Sequence, residues 1–233
     1  ITGYYVLCFF YFFLMRYRTS KRFYWLCFSF LFLALAVARI FFILYYFFVP
    51  ELENQISLME LINLLMFTYR MATFFTWISI SFIMGVLGVL LFPPNKELIE
   101  IPTEDNSLKT KIIYFFLRDK VKLTLRVILM GVPLVMAILA LTLPDELFMD
   151  PDIATTYNLS IQLKTVFGYP YGRFIYNIIM LPLMVFLIPI IFLYLAFKTF
   201  GILRRSYTLN ALGFFLYFAG RASTGIFDAL MWY

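Results

Sequence analysis

Three arginines stand in stretches otherwise fit for a membrane interior: Arg39 in "VARIFFILYYFF", Arg70 in "LMFTYRMATFF" and Arg221 in the closing "LYFAGRASTGIFDALMWY". An arginine at the centre of a bilayer costs at least about 2.5–3.5 kcal/mol on insertion scales, so each calls for a partner, water or a ligand. A guanidinium offers a rigid fork of donors that matches a carboxylate or a small oxyanion bidentately. Counted along ideal helices, the three lie roughly 15–18 Å from the same ends of their spans. Asp228 and Glu60 are the acids within reach of the count, which leaves a positive surplus.

Helical spacing groups further polar residues with these arginines. Asn210, Tyr217, Asp228 and Trp232 fall within about 40° of Arg221 at 100° per residue. Glu60, Asn63, Trp77 and Ser81 lie within about 80° of Arg70. Tyr46 shares the face of Arg39, and Tyr176 and Asn177 lie near one end of their span. Lipid cannot satisfy such stripes, so they are expected to point into a helix bundle. The candidate ligand-binding set is Arg39, Arg70, Arg221, Asp228, Asn63, Tyr217 and Asn177, forming an outward-facing polar pocket for a small anion or carboxylate. The competing expectation is interhelical glue, in which the arginines pair with Asp228, asparagines and backbone carbonyls.

The elements that must position these residues follow from composition. Hydrophobic residues make up 64% of the 233-residue chain and charged residues 14%. Ordinary soluble domains are about 45–50% apolar, and no soluble fold of this length hides so much apolar surface. The class is an all-α, polytopic integral membrane bundle. Six spans are expected, at about 1–15, 23–49, 58–92, 121–143, 171–198 and 207–233, each near the 20 or so residues a bilayer requires. A seventh beyond Tyr233 fits the same pattern.

The loops sort by charge. "RYRTSKR" (16–22), the 93–120 segment and "KTFGILRRSY" (198–207) are basic, whereas "PELENQ" (50–55) and "PDELFMDPD" (144–152) are acidic. Basic loops face the cytoplasm, which puts the N-terminus outside and makes 144–170 an extracytoplasmic loop. The basic, apolar-cored run at 109–120 suits an amphipathic helix at the inner surface, capped by Ser107. Asn158 and Ser160 match the glycosylation pattern. Pro133, Pro182 and Pro189 interrupt spans and predict kinks. "GVLG" (85–88) and "GRASTG" (220–225) are small-residue patches suited to close helix approach.

Several chemistries lack their residues. The chain has no His, and Cys8 and Cys27 lie inside apolar runs, so His-ligated metal or haem and a disulfide framework are not expected. There is no phosphate-binding glycine loop, no intramembrane carboxylate pair, and no base near Ser79, Ser81 or Ser223. The expectation is a non-enzymatic protein without cofactor or metal and without nucleic acid as partner. Membrane lipids, a small anionic ligand, and partner membrane subunits or further copies of the chain are the expected partners.

"VARIFFILYYFF" (37–48) and "LRRSYTLNALGFFLYFAG" (203–220), with the outside N-terminus and basic inner loops, resemble the archaeal and prokaryotic seven-span sensor modules attached to histidine kinases. The resemblance is one of style across the chain. It implies a receptor-like bundle whose output lies beyond the sixth or seventh span or in a partner. A transporter or channel, and a structural subunit of a larger membrane complex, are the alternatives.

Overall fold

The computed structural model describes residues 1–92, 119–149, 151–157 and 163–231, with the side chains of Asp119, Asp152, Phe218 and 221–231 outside the description. The inner amphipathic helix expected at 109–120, its Ser107 cap, and Asn158 and Ser160 of the glycosylation pattern therefore lie, wholly or almost so, outside the described residues. The protein is mostly helical, as expected. Helix α1 (Thr2–Phe10) runs on through a π-helical stretch, Tyr11–Tyr17, to Ser20. Then come α2 (Phe23–Glu51), α3 (Leu58–Leu91), α4 (Asp119–Thr142), the short α5 (Pro151–Thr156), α6 (Tyr171–Lys198) and α7 (Gly201–Met231). A hairpin of two short strands, β1 (Thr165–Val166) and β2 (Tyr169–Pro170), precedes α6.

Among the described residues four helices are long and apolar enough to cross a membrane: Phe23–Glu51, Leu58–Leu91, Lys120–Thr142 and Tyr171–Lys198. The chain is thus a helical membrane protein. The first and last of the six expected spans are helical too, but they are not among these four. Helix α7 starts at Gly201, earlier than 207, and helix α1 with its extension carries Arg16 and Arg18 within the helical run.

Among the described residues two of the three π-helical stretches sit just before prolines. Leu44–Phe48 precedes Pro50, and Phe174–Met180 precedes Pro182. Proline has no N–H and its ring crowds the carbonyl four residues back, so a widened turn there relieves the clash. This is why α2 continues through Pro50 to Glu51 where the sequence suggested a stop at Val49. Pro133 is accommodated inside α4, fully buried.

The chain divides into two compact units. The first comprises Ile1–Pro50 with Thr68–Leu141, and the second Glu51–Phe67 with Thr142–Tyr233. In the first unit the core is built from small residues and α3. Ala34, Ala36 and Ala38 of α2, Ala72, Met84, Val86 and Leu87 of α3, and Ala137 and Ala140 of α4 are all buried. Lipid tails are as apolar as leucine, so membrane helices associate by close packing, and small residues permit it. The "GVLG" patch works in this way. A Cβ on Gly85 would touch Met130 Sδ at 3.4 Å and Cys27 Sγ at 3.6 Å, and one on Gly88 would touch Arg126 Cα at 3.4 Å. By contrast nothing lies within 4 Å of a Cβ placed on Gly220 of the second patch. Aromatic stacking joins α1 to α2, with Phe12 parallel to Phe32 at 5.5 Å and to Trp25 at 5.6 Å.

In the second unit α6 and α7 form an antiparallel pair joined at Thr199–Phe200. Leu181, Val185, Ile188, Phe192 and Leu195 of α6 are buried at helical spacing, and Phe192 stacks on Phe214 at 5.6 Å. The 144–170 loop is clasped to the start of α6. Arg173 Nε donates to Phe148 O at 2.5 Å, Phe148 meets Tyr176 edge to face at 5.2 Å, and Gly172 lies so close to Leu147 O that a Cβ would fall 2.6 Å from it. Burial, and after it the charge of Glu53, push the Tyr157 phenol above its ordinary range.

Candidate functional site: arginines within the spans

Helix α3 and helix α4 run antiparallel, and each supplies an arginine to the other's C-terminal end. Arg70 Nη1 of α3 donates to Leu141 O at 3.0 Å. Leu141 is one residue from the end of α4, where the last carbonyls have no intrahelical donor. Reciprocally, Arg126 Nη2 of α4 donates to Phe92 O, just past the end of α3. A cation at a helix C-terminus also meets the negative end of the helix dipole. Between the two caps Ser81 Oγ donates to Met130 O at 2.7 Å, one turn before Pro133. The pair is thus locked at three levels by hydrogen bonds from side chains to backbone carbonyls.

Arg126 did not figure among the candidate residues. Beside Lys120 and Lys122 it reads as one more basic residue of the inner boundary. The small Gly88, which lets the backbone of α4 come close at Arg126, is the trace it leaves in the sequence. Its Nε is buried without a hydrogen-bond partner.

The expected common depth does not hold for Arg39 and Arg70. Three ring pairs set the register of α2 against α3: Phe30 with Phe82 at 5.6 Å, Phe41 with Phe75 at 5.9 Å, and Tyr45 with Tyr69 at 5.4 Å. These place Arg39 opposite about residue 75, five residues or roughly 7–8 Å from the level of Arg70. The helix-end count erred because the two helices are offset along their axes: counted to the observed ends at Glu51 and Leu58, both arginines lie twelve residues in, yet the ring pairs put them at different levels.

Arg39 is half-buried, seven residues before the 63%-exposed Tyr46 on the same face of α2. Among the described residues no hydrogen bond or ion pair reaches it. Arg70 and Arg39 therefore differ in kind: one is engaged by a helix end, and the other is a cation in mid-span beside buried alanines.

Among the described residues Glu60 meets no cation. Its carboxylate closes a capping box with Ser57 at the start of α3: Ser57 N and Ser57 Oγ donate to Glu60 Oε2 at 3.1 and 2.8 Å, and Glu60 N donates to Ser57 Oγ at 3.4 Å. The "SLME" spacing carries that signature in the sequence. The remaining candidates are scattered in exposure. Asn63, Asn177 and Tyr217 are exposed, while Tyr69, Trp77, Ser81 and Tyr176 are buried. The polar arc of α3 is thus open near its start and buried farther along, rather than inward throughout. Asn177 lies in the π-helical stretch before Pro182, beside the buried Tyr176. Arg221 and Asp228 belong to α7, and their side chains lie outside the described residues. Among the described residues no cluster of His, Cys, Asp or Glu has the composition of a metal site.

No protein-family model, curated protein or solved structure matches this chain.

Proposed function

We propose that this chain is a multi-pass membrane module of receptor or sensor type, with six spans and an outside N-terminus, that binds a small anion or carboxylate at Arg39. The observation that carries this reading is the state of Arg39: a half-buried guanidinium in mid-span that no hydrogen bond or ion pair from the described residues reaches. A cation so placed is costly, and an anionic ligand offsets that cost with a bidentate, charge-assisted pair. The alternating charge of the loops supports the orientation. The prolines of α4 and α6, with the π-helical stretch before Pro182, supply bends able to change tilt when a site fills. The resemblance to seven-span sensor modules is in keeping with an output beyond Tyr233 or in a partner.

The test is binding of acetate, citrate and inorganic phosphate to the full chain in detergent. Binding that Arg39→Met abolishes while folding is retained supports the reading. A chain that binds none of these anions, or an Arg39→Met variant that binds them unchanged, contradicts it.

A second reading has its own observation. Arg70, Arg126 and Arg173 all donate to backbone carbonyls, so arginine is used as structural glue at three places in the chain. On that pattern Arg39 meets a carbonyl or carboxylate of a partner subunit, and the chain is a structural component of a larger complex. Native mass spectrometry that shows a stoichiometric partner lost in Arg39→Met favours this reading. Anion flux in proteoliposomes would instead point to a transporter.

A further inference from the structure

The hairpin Thr165–Pro170 carries an aromatic side chain at a place where backbone chemistry disfavours one. Its two turn residues, Phe167 and Gly168, both have positive φ, at 51° and 81°. With Val166 opposite Tyr169 and Thr165 opposite Pro170, this is a two-residue turn of the type that asparagine or aspartate followed by glycine fills best. Gly168 suits its position. Phe167 does not: a bulky L-residue pays a steric cost in the left-handed region, and such strain persists where the surroundings or a function hold it. Nothing in the fold repays that cost by burial, because Phe167 is 92% exposed. Tyr169 and Tyr171 beside it are also exposed, and Lys164 lies at the open end of the hairpin, where its carbonyl accepts from Tyr171 N at 2.8 Å.

Position decides what this surface meets. Tyr171 is the first residue of α6, a helix long and apolar enough to cross the membrane. The exposed face of α6 continues from the hairpin through Ile178, Leu183, Phe186 and Ile190. Phe167 leans toward that helix, with its ring 6.3 Å from Phe174. Lipid that covers the α6 face therefore begins where the hairpin tip stands. Aromatic rings with one apolar body and one polar tip concentrate at this interface, and a nearby lysine favours phosphate headgroups.

We propose that the hairpin is an interfacial finger. Phe167, Tyr169 and Tyr171 insert into the headgroup zone of the leaflet in which α6 begins, and so fix the depth and tilt of the proline-containing α6. The occupant is the lipid surface itself, continuous with the lipid around the span. The clasp between the 144–170 loop and α6, through Arg173, Phe148 and Gly172, holds the base of the finger against the helix it steadies. The inference rests on α6 crossing the membrane and not on the ligand proposed for Arg39.

The experiment uses the full chain with Cys8 and Cys27 replaced by alanine, reconstituted in vesicles of phosphatidylcholine and phosphatidylglycerol. A nitroxide is placed by Phe167→Cys, by Tyr169→Cys, or by Glu146→Cys as an exposed reference in the same loop. Collision with oxygen, which partitions into lipid, is compared with collision with a water-soluble nickel chelate. The finger predicts that labels at 167 and 169 favour oxygen by several-fold over the label at 146. Preference for the chelate at 167, equal to that at 146, overturns it. Protection from both reagents also overturns it, and assigns the tip to a protein partner or a second copy. Phe167→Asn keeps the turn and improves its local fit, so it leaves folding intact while moving a label at 169 toward the chelate. An unchanged reading at 169 in Phe167→Asn removes Phe167 from the role of anchor.

Discussion

Arg39 and Arg70 have much the same sequence surroundings, yet the structure gives them different work. Arg70 lies where a neighbouring helix ends, and its guanidinium satisfies a carbonyl left over by that helix. Arg39 lies opposite the continuous middle of α3, where every carbonyl already has its intrahelical donor. A regular helix interior offers a cation nothing, whereas a helix end offers both a free acceptor and the negative end of a dipole. The lesson is that the value of an intramembrane arginine is set by what terminates beside it. The second unit repeats it at Arg173, which donates to Phe148 O in the turn that closes Asp145–Leu147.

This contrast is open to direct attack. Arg70→Met should have the largest effect on stability, about 1–3 kcal/mol, because it leaves Leu141 O without its donor in a low-dielectric place. Reversible unfolding in mixed detergent and dodecyl sulfate measures it. Arg126→Met removes the reciprocal cap, and its Nε is buried without a hydrogen-bond partner just as that of Arg70 is, so its loss is expected to be no larger, about 1–3 kcal/mol, by the same titration. An Arg126→Met loss well above that of Arg70→Met would show that the two caps are not equivalent ends of one device. Ser81→Ala should cost less still, about 0.6 kcal/mol, the typical size of a side-chain hydrogen bond between membrane helices. Arg39→Met should leave stability unchanged or raise it, since it removes a charge for which the described residues supply no partner.

The arginines, the apolar spans and the small-residue contact at Gly85 and Gly88 were legible in the sequence because each is a matter of residue type and period. The acceptors were not. A helix-end carbonyl has no side-chain signature, so Leu141 O and Phe92 O could not be named as partners for Arg70 and Arg126. The relative depth of Arg39 was misjudged because the offset between α2 and α3 is set by ring packing, Phe41 on Phe75 and Tyr45 against Tyr69, which counting from helix ends does not reveal. Glu60 is the opposite case. Its capping box with Ser57 is written plainly as "SLME", and counting charges across the membrane obscured it. The Phe167–Gly168 turn was also present in the sequence as "FG" between two short β-prone pieces, but a phenylalanine is a poor advertisement for a left-handed position.

The most direct test of the central claim separates binding from stability at the two arginines. The thermal unfolding midpoint of the full chain in detergent is followed with acetate, citrate and inorganic phosphate, for the unmodified chain, Arg70→Met, Arg39→Met and Arg39→Lys. The account predicts a lower starting midpoint for Arg70→Met that an anion still raises. It predicts an undiminished starting midpoint for Arg39→Met that no anion raises, and a weakened response for Arg39→Lys, which keeps the charge and loses the fork. A starting midpoint that falls in Arg39→Met as far as in Arg70→Met, or an anion response that survives in Arg39→Met, would contradict it.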